Sequence, residues 1–229
     1  MSKKNKNKIT TIPEVVSHPT STSSEQYRTI ATNLDFMMKD KNLKTVIITS
    51  PEAGAGKTTS LVNIATILSQ NGKSVLFIDC DLRKPTAHKR FNLPNTKGLV
   101  NIIVEDAKQS ECIQSIDALS GLSILTCGPI PPNPSEIINS QGMKNFINNI
   151  RKSISYDVIL IDTPPALAVN DAKSLSTLTD GVIIVSRYNQ TKKMDIKATA
   201  DELNKVDANV LGVIINDLPK TEHDYYYGN

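Results

Sequence analysis

A glycine-rich stretch followed by lysine and threonine is the part of this sequence that most directly suggests chemistry. It reads S-P-E-A-G-A-G-K-T-T from Ser50 to Thr59, and it stands between an apolar run and a stretch of helical pattern. In such a loop, successive backbone N–H groups point inward, and the following helix adds the positive end of its dipole. The stretch therefore predicts a binding site for the phosphates of a nucleotide.

Each residue of this loop has an expected role. Lys57 would reach the β and γ phosphates, the Thr58 hydroxyl would bind Mg²⁺, and Thr59 would contact a phosphate nearer the nucleoside. Pro51 occupies the place of the first glycine in the pattern G-x-x-x-x-G-K-[ST], and Gly54 and Gly56 still let the backbone curl. The predicted nucleotide-binding residues of the loop are Gly54, Ala55, Gly56, Lys57, Thr58 and Thr59.

Three aspartates follow apolar runs that read as strands. Asp79 and Asp81 lie in F-I-D-C-D-L-R, and Asp162 lies in I-L-I-D-T-P-P. The carboxyl ends of parallel strands meet at one edge of a sheet, where open α/β folds bind their ligands. Carboxylates held close together repel each other unless a cation intervenes. We therefore predict that Asp79, Asp81 and Asp162 join Thr58 around Mg²⁺.

Four further residues are candidates for this site. Arg83 and Lys84 follow closely on the second aspartate, and they would either neutralise charge on the γ-phosphate, bind a neighbouring subunit or form a solvated basic pair. Asn216 and Asp217 stand at the end of the last predicted strand, where they would either contact the base or cap the strand end.

Short apolar runs alternating with helix-length segments must position these residues. The predicted strands cover 45–50, 74–79, 122–126, 156–162, 181–186 and 209–216, and the predicted helices cover 19–39, 57–70, 98–104, 140–153, 171–178 and 191–206. The strand runs are continuously apolar, which indicates burial on both faces. This pattern predicts an α/β fold of the P-loop NTPase type, with a mostly parallel sheet flanked by helices on both sides.

Composition narrows the classes of protein. The chain has 229 residues, of which 39% are apolar, and its net charge is only +3. That balance gives no support to nucleic-acid binding. Neither a signal peptide nor an apolar run long enough to span a membrane is present, which favours a cytoplasmic protein. We expect a flexible segment at 1–18, a single kinase-type domain at 19–216 and a flexible tail at 217–229.

The last nine residues, T-E-H-D-Y-Y-Y-G-N, contain Tyr225, Tyr226 and Tyr227, which are half of the six tyrosines in the chain. Aromatic rings at a chain end gain little burial energy, so packing does not explain the cluster. The cluster is interpreted as a set of phosphate acceptors. A tail without that role is the alternative.

Taken together, these motifs resemble the bacterial tyrosine kinases, in particular the separate cytoplasmic kinase of capsule and exopolysaccharide systems in Gram-positive bacteria. The resemblance rests on the phosphate loop, on V-L-F-I-D-C-D-L-R-K-P, on G-P-I-P-P-N-P-S-E, on I-L-I-D-T-P-P and on the tyrosine-rich end. It implies autophosphorylation of the tail with ATP and Mg²⁺, with Lys57, Asp79, Asp81 and Arg83 as catalytic residues and Asp79 collecting the acceptor's proton.

The resemblance also implies partners. A membrane-bound adaptor with a cytoplasmic activating segment would recruit the kinase to the inner face of the membrane, and polysaccharide-synthesis enzymes and a tyrosine phosphatase would be further partners. Members of the family assemble into rings through a helix with the pattern E-x-x-R-x-x-R. Glu25 and Arg28 match this pattern and are predicted oligomer contacts, whereas Ala31 replaces the second arginine.

The alternative class is a ParA or MinD type ATPase, which acts as a switch by nucleotide-dependent assembly. Those proteins resemble K-G-G-x-G-K-[ST], in which a signature lysine reaches across a dimer to the phosphate. Glu52 occupies the place of that lysine here, and a carboxylate cannot perform the same task.

Overall fold

A seven-stranded sheet forms the centre of the computed structural model, which describes residues 13–219. The strands are β1 (Thr45–Thr49), β2 (Val75–Asp79), β3 (Ile113–Ser115), β4 (Leu122–Leu125), β5 (Val158–Asp162), β6 (Gly181–Arg187) and β7 (Val210–Asn216). Their order across the sheet is β3-β4-β2-β5-β1-β6-β7, and every neighbouring pair is parallel except β3 with β4. The predicted mostly parallel sheet is confirmed.

Helices cover both faces of this sheet. Those of the described residues are α1 (Glu14–Ser17), α2 (Thr22–Asp40), α3 (Lys57–Gln70), α4 (Ala87–Phe91), α5 (Leu99–Glu105), α6 (Gln109–Cys112), α7 (Pro134–Asn139), α8 (Gln141–Lys152), α9 (Asp171–Ser176) and α10 (Lys193–Asn204). Within residues 13–219, no helix combines the length and the apolar character that a membrane-spanning segment requires.

The strands separate two apolar cores, which explains why their sequences are continuously apolar. In β1, Val46 and Ile48 belong to the core on the α2 and α3 side, whereas Ile47 belongs to the core on the opposite side. Successive side chains of a strand point to opposite faces, so a strand between two helical layers needs apolar residues at every position.

The structure contains short elements that the sequence pattern does not reveal. One is α1, which lies in the segment 1–18 that sequence analysis describes as flexible. Val15 of α1 is buried, and its backbone N–H donates to Asn63 Oδ1 of α3 at 3.2 Å. A four-residue helix has no periodicity to detect, and this one is stabilised by contact with α3. The antiparallel edge strand β3 was missed for the same reason of length.

Helix α2 carries the residues that resemble the oligomerisation pattern. Glu25 and Arg28 are at its surface, where the guanidinium contacts the carboxylate of the same chain at 2.5 Å. Ala31 lies instead in the core and is fully buried. The position of the second arginine of the pattern is therefore turned inward in this chain.

We expect the substitution Ala31→Arg to destabilise the fold rather than to restore the oligomerisation pattern. A guanidinium at a fully buried position must either displace its neighbours or lose its hydration, and overpacking alone costs about 1 to 3 kcal/mol. Thermal unfolding measures the effect. Thr32→Arg, on the exposed side of the same helix, is the matched control and should leave the melting temperature almost unchanged. Equal melting temperatures for both variants would contradict this view of α2.

Candidate nucleotide-binding and catalytic site

The sheet order brings the predicted site residues to one edge. Strands β2, β5 and β1 are neighbours, so the loops that follow their carboxyl ends are adjacent. The register places Asp79 directly opposite Asp162, and Asp162 also lies opposite Ile48 of β1. The glycine-rich loop after β1 and the aspartates after β2 and β5 therefore meet, as the sequence predicts.

The glycine-rich loop has the backbone conformation that its sequence requires. Gly54 and Gly56 have φ angles of 85° and 92°, in the left-handed region that side chains other than glycine rarely adopt. A Cβ placed on Gly56 would lie 2.0 Å from Asn216 Nδ2. This Nδ2 donates to the carbonyl of Ala55 at 3.2 Å. Asn216, the predicted base contact, thus also holds the loop against the end of β7.

Thr58 and Asp162 form the part of the site that fits a magnesium ion. The Thr58 hydroxyl donates to Asp162 Oδ2 at 2.5 Å, and the Thr86 hydroxyl donates to Thr58 Oγ1 at 3.2 Å. Asp162 Oδ1 is buried and has no hydrogen-bond partner within residues 13–219. The unpaired Asp162 oxygen and the Thr58 hydroxyl are hard oxygen ligands, which is the type that Mg²⁺ prefers.

Asp79 and Asp81 shape the loop that follows β2, defined here as the aspartate loop (residues 80–86). Asp79 Oδ2 accepts from the backbone N–H groups of Thr86 and Ala87 at 3.0 and 2.9 Å, and its Oδ1 accepts from that of Asp81 at 3.2 Å. Asp81 Oδ1 accepts from the backbone of Lys84 at 2.9 Å. Both carboxylates are thus engaged with backbone groups of their own loop.

These contacts bear on the predicted metal ligands. Among residues 13–219, no group of three or more His, Cys, Asp or Glu side chains is arranged to hold a metal ion. Mg²⁺ in nucleotide sites usually keeps several waters and needs only one or two carboxylates besides the phosphates. Thr58 and Asp162 satisfy that requirement. Asp79 lies opposite Asp162 in the sheet, and both Asp79 and Asp81 accept hydrogen bonds from the backbone after β2.

Electrostatics at this edge favour a bound cation. Burial raises the pKa of Asp79, and the nearby charge of Asp162 raises it further. Burial also raises the pKa of Asp162, although the Lys57 ammonium and the Thr58 hydrogen bond oppose that shift. A positive ion beside both carboxylates would relieve their repulsion and the cost of burying their charge.

A cleft of about 590 Å³ opens beside the glycine-rich loop. Its walls come from the loop, the aspartate loop, α2 and the end of β7, and they include the predicted residues Gly54, Gly56, Lys57, Thr58, Thr59, Asp81 and Asn216. Lys84, Thr86, Arg90 and Arg187 also line the cleft, and of these the sequence analysis proposed only Lys84 for this site. The cleft brings most of the predicted nucleotide-binding residues together around one space.

The remaining predicted residues lie elsewhere. Asp79 and Asp162 are fully buried beneath the cleft. Arg83 does not line it, because its side chain bonds to Ser135 and Asp171. Sequence reasoning assigned no role to Ser135 or Asp171. Ser135 lies in the motif G-P-I-P-P-N-P-S-E, and Asp171 stands at the start of a predicted helix. Tyr225, Tyr226 and Tyr227 lie outside the described residues.

Glu52 stands where a MinD-type protein would carry its signature lysine, and it has a structural partner here. The Thr191 hydroxyl donates to the Glu52 carboxylate, and Thr191 Oγ1 in turn accepts from the backbone N–H of Arg187 at 2.8 Å. Glu52 is therefore tied to the turn after β6 within the same chain.

Comparison with known proteins places these features in context. A family model described as an AAA domain matches residues 43–214. The chain is 39% identical over 211 residues to the tyrosine-protein kinase YwqD of Bacillus subtilis (strain 168), covering 92% of this chain and 88% of that protein. It is 37% identical over 213 residues to CapB of Staphylococcus aureus, also described as a tyrosine-protein kinase, covering 92% of each.

Solved structures agree in shape. The chimerical protein CapA2B2 matches with a TM-score of 0.84 and 36% identity, covering 91% of this chain and 90% of that one. The septum site-determining protein MinD of Pyrococcus horikoshii OT3, complexed with Mg-ADP, matches less closely, with a TM-score of 0.66 and 25% identity over 79% of this chain and 73% of that one. The site therefore lies on a nucleotide-binding fold of the P-loop type.

Proposed function

This chain belongs to the family of bacterial tyrosine-protein kinases, and we propose that it transfers the γ-phosphate of ATP, bound with Mg²⁺, to its own C-terminal tyrosines. One observation carries the proposal. Lys57 and Thr58, at the first turn of α3, lie beside the buried carboxylate of Asp162 in a cleft lined by the glycine-rich loop. The acceptors would be Tyr225, Tyr226 and Tyr227.

Each residue of the cleft would have a defined task. Backbone N–H groups of the glycine-rich loop would hold the phosphates, with Lys57 neutralising charge on the β and γ groups. Thr58 and Asp162 would hold Mg²⁺, directly or through water. When bound, the ion would supply positive charge to the oxygens of the transferring phosphoryl group. Asn216, which lines the cleft at the end of β7, would contact the base.

A tyrosine acceptor restricts the proton chemistry. The phenol has a pKa near ~10 and an ordinary aspartate one near ~4, so full proton transfer before attack would cost on the order of 8 kcal/mol. A loose phosphoryl-transfer transition state asks little of the nucleophile, so the carboxylate orients the phenol and takes its proton late. We assign this task to Asp81, which lines the cleft and would both orient the phenol and take its proton. Asp79, to which the family resemblance assigns the task, is fully buried, and both its carboxylate oxygens accept backbone hydrogen bonds.

The location of the phosphate tests this function. After incubation with MgATP and the activating segment of an adaptor, we expect mass spectrometry to find phosphate on Tyr225 to Tyr227 and almost none on a variant with all three changed to Phe. Transfer between subunits is expected, because the family resemblance implies it. A Lys57→Met chain with an intact tail, mixed with an active chain lacking residues 224–229, should therefore gain phosphate.

A MinD-like ATPase switch is the second candidate, and the likeness to MinD in fold favours it. It predicts release of inorganic phosphate with no modification of the protein. The carboxylate of Glu52 at the place of the signature lysine speaks against it, since the negative charge would repel a phosphate across a dimer interface.

We further propose that a membrane-bound adaptor recruits the kinase to the inner face of the membrane and that the phosphorylated tail regulates capsular or extracellular polysaccharide synthesis. The family membership supports this role. The charge of a phosphotyrosine, roughly −2, adds to a tail that already carries Glu222 and Asp224. In a ring in which each tail occupies the site of the neighbouring subunit, the aspartates of that site would repel the phosphorylated tail and loosen the ring. Light scattering should therefore show smaller assemblies after phosphorylation than before it.

A further inference from the structure

Arg83 and Lys84 are neighbours in the chain but serve different sides of the aspartate loop. Lys84 lines the nucleotide cleft together with Arg90. Arg83 turns away from it and donates from Nε to Asp171 Oδ2 at 3.0 Å and from Nη2 to Ser135 Oγ at 2.6 Å. The nucleotide cleft therefore has its own cations, and Arg83 is not one of them.

Ser135 and Asp171 close a ring around the guanidinium. The Ser135 hydroxyl donates to Asp171 Oδ1 at 2.8 Å, so each member of the trio contacts the other two. Asp171 is 1% exposed, and Arg83 is its ion-pair partner. A buried carboxylate with two fixed partners has little freedom to reorient, so it holds the arginine in one position.

The trio joins three segments that follow the carboxyl ends of neighbouring strands. Ser135 is in the first turn of α7, Asp171 begins α9, and Arg83 is in the aspartate loop, so the segments follow β4, β5 and β2. These three strands are neighbours in the sheet, with β2 in the middle. The nucleotide cleft, in contrast, extends from the glycine-rich loop towards α2 and the end of β7. Arg83 therefore lies on the side of the aspartate loop that the nucleotide cleft leaves open.

Arg83 and the loops that lead to α7 and α9 have side chains exposed to solvent. The Arg83 side chain is 38% exposed, and its bonds to Asp171 and Ser135 are made by Nε and Nη2. Ile130, in the loop after β4, is 62% exposed, and Leu167, in the loop after β5, is 42% exposed. The loops that lead to Ser135 in α7 and to Asp171 in α9 thus carry apolar residues that face solvent.

The tyrosine-rich tail has the complementary chemistry. Asp224 directly precedes the three tyrosines, and Glu222 lies two residues earlier. Carboxylates suit a guanidinium that already has a fixed orientation, and aromatic rings suit exposed Ile and Leu side chains. An acidic and aromatic peptide is therefore the ligand that this surface fits.

We propose that Arg83 is an acceptor-specificity residue that binds the carboxylates of Glu222 and Asp224 in the tail of a second copy of this chain. Asp171 and Ser135 are positioning residues that orient it. The site selects a tyrosine preceded by acidic residues and brings its hydroxyl to the aspartate loop. This inference rests on the proposed function, since it names how that function selects its acceptor.

Fluorescence anisotropy tests the proposal without requiring catalysis. It measures the binding of a labelled peptide of residues 217–229 to the full chain. Arg83→Lys keeps the charge that Asp171 needs but loses the planar fork, so we expect about tenfold weaker peptide binding. A neutral peptide, with Glu222→Gln and Asp224→Asn, should bind the wild-type chain about tenfold more weakly than the acidic peptide does. The Arg83→Lys chain, in contrast, should bind the neutral and the acidic peptide equally well, because the residue that distinguishes them has been changed. Lys84→Ala should weaken ATP binding and leave peptide binding unchanged.

Steady-state transfer to the same peptide distinguishes positioning from general damage to the fold. Asp171→Asn and Ser135→Ala should raise the KM for peptide while the KM for ATP stays within about twofold. Arg83→Lys raising the KM for ATP instead, or equal binding of the acidic and neutral peptides by the wild-type chain, would overturn the proposal. Arg83-dependent peptide binding without any transfer would overturn the kinase function alone and leave the docking site standing.

Discussion

We expect phosphate transfer by the Lys57→Met protein to fall by roughly a hundredfold to a thousandfold, while its fold is retained. Lys57 is the first residue of α3 and is only 9% exposed, so its ammonium is fixed at the wall of the cleft. A fixed positive charge in a partly dry site stabilises the charge of the transferring phosphoryl group more than a solvated one does. Methionine has a similar length and no charge, so it removes this effect with little change in packing.

The same substitution has a second electrostatic consequence. The Lys57 ammonium lowers the pKa of Asp162, which burial raises. Its loss should therefore raise the pKa of Asp162 further, so that protons compete with Mg²⁺ for this carboxylate at a higher pH than in the wild type. Phosphotransfer assays report the first effect, and the pH dependence of Mg²⁺-dependent nucleotide binding reports the second.

A lysine outside the cleft provides the control. Lys192 is exposed at the start of α10 and does not line the cleft, so Lys192→Met should keep the wild-type rate. Circular dichroism should give the same helix content for both variants and the wild type. A Lys57→Met protein that transfers phosphate to its tail at the wild-type rate would contradict the assigned role of the glycine-rich loop.

The parts of the site that could be predicted are those encoded by contiguous residues. The glycine-rich loop contains its own turn residues, its lysine and the start of its helix, and the predicted helix 57–70 matches α3. Asp79 and Asp162 were assigned to one sheet edge because each ends an apolar run, and the register places them opposite each other. Here local pattern and chain topology agree.

The parts that could not be predicted depend on contacts between distant segments. Ser135 and Asp171 lie 52 and 88 residues from Arg83 in the chain, and their local sequence does not indicate that they contact it, although Ser135 lies in the motif G-P-I-P-P-N-P-S-E. The inward position of Ala31 depends on the rotation of α2 against the core. The burial of Val15 depends on α3. Periodicity states which face of an element is apolar, but not which other segment that face meets.

Gly56→Ala should have the other large effect, reducing nucleotide affinity by roughly a hundredfold or more. Gly56 has a φ of 92°, and an added Cβ would lie 2.0 Å from Asn216 Nδ2. The methyl group must therefore displace Asn216, which removes its hydrogen bond to the Ala55 carbonyl. The variant combines backbone strain with loss of the contact that holds the loop to β7.

Gly54→Ala separates these two causes, because the glycines differ in surroundings but not in backbone conformation. Gly54 has a φ of 85°, and among residues 13–219 no atom of a non-neighbouring residue lies within 4 Å of the Cβ that would be added there. Its alanine variant should suffer only the cost of the left-handed conformation, about 1 to 2 kcal/mol, and lose about tenfold in affinity. Titration with a fluorescent ATP analogue measures both variants. Equal losses of affinity would show that backbone strain alone causes the effect. A much larger loss for Gly56→Ala would show that the contact of Asn216 with the glycine-rich loop also supports nucleotide binding.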